Sequence, residues 1–214
     1  MGAQNRPRLT ELLLPGAASA WEKIGFAPRE GAFQLGEVTC GVGADEPSWA
    51  FDQGGDMPNG LCGIATAESA ARQTEGDPSE QPNGAFKIDH VVVASEAPSQ
   101  AKAALERFGL IGKGARSFSS GDAERSQCFF WSGELLIELV GPAAEKADAS
   151  PLARIWGVTF VVDDFAPLLA LAEGLVAGPR DAIQPGRQIA TVATQLELGV
   201  ELAFMSPHAK RSKS

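Results

Sequence analysis

The sequence is short of the residues that most catalytic and metal-binding motifs need. It has two histidines, and one of them, His208, lies close to the C-terminus. A single internal imidazole gives a serine or cysteine triad little to build on. The three cysteines, Cys40, Cys62 and Cys128, show no metal spacing and cannot all pair. Each lies in an apolar, strand-like stretch, which reads as a buried free thiol in a reducing cytoplasm. No apolar run approaches the roughly 20 residues of a membrane helix. Leu12–Ala20 ends in small residues like a signal peptide, but its apolar core is too short and is broken by Glu11 and Pro15. There is no surplus of positive charge: 18 Lys and Arg face 27 Asp and Glu, for a net charge of −9. Nucleic acid and anionic membrane surfaces are therefore not expected partners. A Gly-rich phosphate loop is absent, and so is a Gly-x-Ser-x-Gly elbow.

What is present is an ordinary globular composition, 44% hydrophobic and 21% charged over 214 residues. That length supports a sizeable core or two small domains. The organising stretch is Phe86–Gly141. Ile88-Asp89-His90-Val91-Val92-Val93 reads as a strand. Ala97–Phe108 carries Ala101, Ala104, Leu105 and Phe108 at helical spacing and stops at Gly109. Gly112–Arg125 is small and polar, a hairpin or loop. Gln127–Trp131 and Leu135–Val140 are strands joined by a Ser132-Gly133 turn.

The same order recurs after a short linker at Glu145–Ser150. Trp156–Val162 reads as a strand, Asp163-Asp164 as an N-cap and Phe165–Leu175 as a helix. Gly178-Pro179 is a break, and Arg187–Val192 and Glu197–Phe204 are strands. Upstream, Leu9–Leu14, Ala17–Ile24, Ala32–Leu35 and Val38–Val42 read as strand, helix, strand, strand. Trp49–Phe51 is a short extended piece, and Gly60–Thr66 reads as a strand. The chain thus divides into a degenerate N-terminal unit (8–66), a linker (67–85), two βαβββ units (86–141 and 153–206) and a basic tail (207–214). Lys210, Arg211 and Lys213 in that tail read as a frayed end rather than a binding arm. The fold class expected is α+β. A repeated βαβββ unit cannot bury both faces of its own sheet, so paired units should form curved mixed sheets around a cleft.

This strand pattern, with the phrase Ile88-Asp89-His90-Val91-Val92-Val93, resembles the vicinal oxygen chelate superfamily of glyoxalases, extradiol dioxygenases and bleomycin-resistance proteins. The resemblance covers about residues 86–206. It implies one metal ligand on the first strand and one on the last strand of each unit, around an open divalent site of Mn, Fe, Ni or Zn. By that correspondence His90 and Glu138 are the ligands, and the catalytic pair, of the middle unit. The matching positions in the last unit are Gly157 and Phe204, and in the degenerate unit Glu11 and Gly41. Two of the four expected ligands are therefore present, with Glu201, Asp163 or another chain as sources of the others. The resemblance also implies pairing between chains, hence a homodimer.

Each candidate carries two readings. His90 is a metal ligand, a general base suited by the ordinary near-neutral titration of imidazole, or a satisfied core residue. Glu138 needs a metal, His90, an arginine or water as its partner, because a buried carboxylate cannot stay unpaired. Arg187, with Arg154 and Arg180 nearby, is either a cleft-mouth fork for an anionic substrate or an exposed arginine paired with Asp181 or a neighbouring carboxylate. Trp131, Trp156 and Phe204 either line the cleft as substrate-binding residues or pack in the core. Phe129 and Trp131 share one strand face and Phe130 takes the other. Two functions follow: a metal-dependent lyase, isomerase or dioxygenase acting on a small molecule, and a metal-free protein that binds or sequesters a small ligand.

Overall fold

Alternating apolar residues dominate the chain from Leu9 onward, and the structure, a computed structural model, is built mainly of strands. It describes residues 6–54, 57–69, 81–121 and 123–208. Most of the expected linker, the first residues and the cations of the basic tail lie outside that set. Among the described residues no helix is long and apolar enough to cross a membrane.

The N-terminal part contains β1 (Leu9–Pro15), α1 (Ala18–Glu22), β2 (Ala32–Leu35), β3 (Val38–Ala44), β4 (Ser48–Phe51), β5 (Met57–Leu61) and β6 (Ile64–Glu68). These strands form one sheet in the order β2-β3-β1-β4-β6-β5. β1 runs parallel to β3, and β4 runs parallel to β6. Two abbreviated units therefore lie side by side, β1–α1–β2–β3 and β4–β5–β6. Gly60–Thr66 is not one strand. Cys62 and Gly63 both adopt positive φ, 56° and 85°, and turn the chain back into a hairpin.

The larger sheet holds β7 (Ala85–Ser95), β8 (Ile111–Ser120), β9 (Ala123–Ser132), β10 (Leu135–Pro142), β11 (Ala153–Val162), β12 (Val176–Asp181), β13 (Gln188–Val192) and β14 (Glu201–Met205). Their order is β12-β13-β14-β11-β7-β10-β9-β8. Read outward from the central antiparallel pair β7 and β11, both halves have the same strand sequence of first, fourth, third and second. The polar stretch Gly112–Arg125 lies in the edge hairpin β8–β9, where both faces of the outer strand are largely solvated.

Helix α2 (Pro98–Phe108) starts with Pro98 in its first turn and ends at Gly109, which is in the left-handed region. The Glu145 carboxylate accepts hydrogen bonds from the Ser99 N–H and from the Ser99 hydroxyl, so the second linker is tied to the helix start. Ala101 and Leu105 face the core. Helix α3 (Ala166–Leu171) is shorter than the pattern predicts. The chain turns through Ala172–Leu175, with Gly174 at φ 73°. The N-cap position falls on Phe165 rather than on Asp163 or Asp164, and Asp164 Oδ1 instead accepts the Ala166 N–H at 2.9 Å from just before the cap.

One continuous core joins the two sheets. Trp21 and Phe26 from the N-terminal part pack on Phe160 and Phe204 of the large sheet, with centroid distances from 4.9 to 6.4 Å, and Phe33 stacks on Phe26 at 4.4 Å. Each such aromatic pair adds about 0.5–1.5 kcal/mol beyond the area it buries. The end of the linker is pinned as well. Buried Asn83 donates to the Ile24 carbonyl at 2.8 Å, and Gln81 accepts the Ala27 N–H at 3.0 Å. This packing occupies one face of the large sheet and leaves the other free for a site.

Candidate functional site

Alternation along β7 and β10 decides which residues reach the free face. Val91, Val93, Ile137 and Leu139 turn into the core, while His90, Val92, Ala94, Leu136, Glu138 and Val140 share the opposite face. Asp89 departs from this alternation. His90 pairs with Thr159 and Ile88 with Phe160, so Asp89 is an extra residue, a bulge. The bulge brings the carboxylate beside the ring of the next residue.

A chain of polar contacts crosses the sheet from this point. Arg187, which is 2% exposed, donates from Nη2 to Asp89 Oδ1 at 2.6 Å and from Nε to the Ser206 carbonyl at 2.7 Å. Asp89 Oδ2 lies 2.8 Å from His90 Nδ1. Burial pushes the Asp89 carboxyl up, but the hydrogen bonds from His90 and Arg187 outweigh it and hold the group well below the usual carboxylate range. An ionised carboxylate only accepts, so His90 Nδ1 carries the proton. In the neutral ring Nε2 then accepts from the Thr159 hydroxyl at 3.0 Å. Glu138 Oε2 is 3.9 Å from the same nitrogen. Glu138 Oε1 accepts from the side-chain amide of Gln127, whose oxygen accepts from Arg116 Nε.

Above this chain lies a cavity of about 900 Å³. Its floor is Val92, Ala94 and Val140. Glu138 and Gln127 stand at one wall, Trp156 and Leu152 at another, and Arg116, Arg125 and Arg154 face it from both units. Trp156 is 43% exposed and sits at a second bulge, between Ile155 and Gly157. It also borders a smaller pocket of about 170 Å³ next to Glu197 and Glu201.

The structure separates the residues singled out from sequence. It brings His90 and Glu138 together and puts Glu138 and Trp156 on the cavity. His90 is beneath the cavity rather than in its wall. Trp131 is 40% exposed on the His90 side of the sheet, outside the cavity lining. Phe204 is fully buried in the aromatic core, because its strand turns that position inward. Arg187 is at no cleft mouth. Its guanidinium is drawn into the sheet by Asp89, not Asp181. Sequence reading missed Asp89, Gln127, Thr159, Arg116 and Arg125. Gln127 was within reach, since it shares a face with Phe129 by period two. The Asp89 bulge leaves no trace in the hydrophobic pattern.

No family pattern and no curated protein sequence matches the chain. Solved structures do. A variant of 4-hydroxymandelate synthase from Streptomyces coelicolor superposes with a TM-score of 0.62 at 14% identity, covering 96% of this chain and 94% of that one. A fusion of a xylose isomerase-like TIM barrel with 4-hydroxyphenylpyruvate dioxygenase gives 0.62 at 12% identity, over 100% of this chain and 51% of that one. The chain has the vicinal oxygen chelate fold. At these identities the likeness is one of fold.

Within that fold the two central units exchange about an approximate two-fold axis through the Val91–Val158 pair. The axis relates His90 to Gly157, as the sequence correspondence has it. Glu138 faces Val92 in β7, and the equivalent place facing Thr159 in β14 is Ala203. Phe204, one residue further on, points the other way. The chelate fold's metal would need donors from both halves, and this chain supplies an imidazole and a carboxylate from one half only. Glu201 and Asp163 are exposed and join no such group. Among the described residues no three His, Cys, Asp or Glu side chains cluster as a metal site. The donor set does not fit a tightly held metal.

Proposed function

We propose that the chain binds a small organic molecule in the cavity between its two central units, without a tightly held metal. The observation that carries this reading is the cavity itself. It is apolar along its floor, edged by Trp156, and walled by polar groups that converge from both halves. Emptied ligand positions at Gly157 and Ala203 favour binding or sequestration, as in bleomycin-resistance proteins, over a metal-centred reaction.

A second reading, a metal-dependent lyase, isomerase or dioxygenase of the superfamily, draws on one specific contact. Asp89 fixes His90 Nδ1 and turns Nε2 toward Glu138. Metal-ligating histidines are commonly oriented by a carboxylate in this manner.

The test is a ligand screen read by the fluorescence of half-exposed Trp156, run with and without chelator, beside elemental analysis of the purified protein and of His90→Ala. Ligand affinity unchanged by chelator supports the binding reading. About one equivalent of divalent metal, lost in His90→Ala, together with chelator-sensitive affinity, replaces it with the enzyme reading.

A further inference from the structure

We infer that Arg116, Arg125 and Arg154 form a recognition row for the carboxylate or phosphate group of the ligand, and that Glu138 serves to hold Arg116 of this row in place through Gln127. The inference rests on the binding reading above and names the ligand's chemical class, an organic oxyanion with an apolar body.

Strand register sets the row. Arg116 on β8 lies opposite Gln127 on β9, which lies opposite Val140 on β10. Val140 lies opposite Ala94 on β7, and Ala94 opposite Arg154 on β11. Two arginines thus end a line whose middle is apolar floor. Arg125 lies two residues from Gln127 on the same face of β9 and also lines the cavity. Neighbouring strands are about 4.8 Å apart, so the two end arginines start roughly 19 Å apart, four strands across. Arginine side chains are long enough to reach inward over Val140 and Ala94 from either end.

Arg116 is held in advance. Its Nε donates to Gln127, which is 4% exposed, and the Phe129 ring lies 5.6 Å from its guanidinium carbon. Gln127 is itself held by Glu138. With Nε occupied, Nη1 and Nη2 form a fork with no carboxylate partner among the described residues. Such a fork matches the two oxygens of a carboxylate or phosphate. Arg125 and Arg154 likewise lack a carboxylate partner among the described residues. In a chain of net charge −9, three such arginines against Glu96 and Glu138 leave the cavity lining with one excess positive charge, a local reversal of sign. On this account the carboxylate that the superfamily places on a metal is turned here to a different task. It anchors the glutamine that aims an arginine.

The experiment is isothermal titration of the intact chain with octanoate, octyl phosphate, octanol and octylammonium, which share one tail. At least one of the two anions should bind about tenfold or more tighter than octanol, the scale of one charge-assisted fork contact. Which anion is the tighter assigns carboxylate or phosphate. Arg116→Gln and Arg154→Gln should each cut anion affinity about five- to tenfold and leave octanol unchanged, since one such contact is lost. Arg116→Lys keeps the charge without the fork and should recover only part of the loss. Gln127→Leu should weaken the anion alone. Arg180→Gln, which removes one positive charge from β12 at a residue outside the cavity lining, should change nothing. Thermal melts of each variant confirm that the fold is kept. Equal affinity for anion and octanol, tightest binding of octylammonium, or the same response in Arg116→Gln and Arg180→Gln overturns the inference while leaving the cavity reading standing. Failure of all four probes to bind at millimolar concentration overturns both.

Discussion

The two halves of the large sheet share one strand order and differ in what they carry. On the free face, residues 86–141 place His90, Gln127, Phe129 and Glu138, a set of large polar and aromatic groups. At the corresponding places residues 153–206 have Gly157, Ile189, Thr191 and Ala203. The difference at Gly157 is more than the loss of a side chain. A Cβ there would meet the Glu201 carbonyl oxygen at 2.9 Å, a backbone atom that cannot swing aside. The second half has closed its backbone over the place where a ligand side chain would start. Two copies of one supersecondary unit can thus keep their shape while they differ in the chemical groups they carry.

The two halves are tied by Arg187 of one to Asp89 of the other. Arg187→Met strands a buried carboxylate and should cost about 3–5 kcal/mol of stability. Urea denaturation measures it, and a loss below 1 kcal/mol would show that the halves hold together without this pair.

The pH dependence sharpens the same point. The folded Asp89 carboxyl titrates below its unfolded value, so its stabilising contribution is complete above the unfolded value and is lost as pH falls through the folded one. With an unfolded Asp near about 3.9, the stability gap between wild type and Asp89→Asn should be widest at neutral pH and close progressively below about pH 4. Urea midpoints for both proteins between pH 7 and pH 2 give the result. A gap independent of pH would mean that Asp89 works by shape rather than charge.

Gly157→His asks whether the emptied half can be refilled. Overpacking against fixed backbone should cost about 1–3 kcal/mol, and the variant should gain no bound metal by elemental analysis. Stable folding with one equivalent of metal would show that the second half was empty but still open. The smallest effect expected is that of Thr159→Val, which removes one hydrogen bond to His90 and should cost about 1 kcal/mol in the same denaturation assay.

Fold and site were readable from sequence to different depths. The β7 and β11 strands, the α2 helix with its Gly109 stop, and the repeat all follow from local pattern, because periodicity and end signals are local properties. The β5–β6 hairpin was hidden because its turn falls on Cys62, a residue with no turn preference, held at positive φ by its context. His90 and Glu138 could be found because each stands out in an apolar strand. Their partners could not. Gln127 and Arg116 look like ordinary solvated residues until strand register aligns them, and register is set over distance. Phe204 and Ala203 were confused by one residue, and in a strand a one-residue offset is the difference between cavity and core.

The Asp89 bulge also has a meaning for chain length. Ile88 and His90 are two residues apart, yet they face consecutive residues of β11, Phe160 and Thr159. Removing Asp89 altogether would make them neighbours on opposite faces, as in a regular strand, and would leave every other pairing of the sheet in register. Deleting this one codon should therefore be a milder event for strand pairing than deleting a residue of β7 that pairs with β11, such as Val91. It would leave Arg187 without its carboxylate. The position is a place where the gene can lose or gain a residue, and with it the polar connection between the two halves, without the fold having to change.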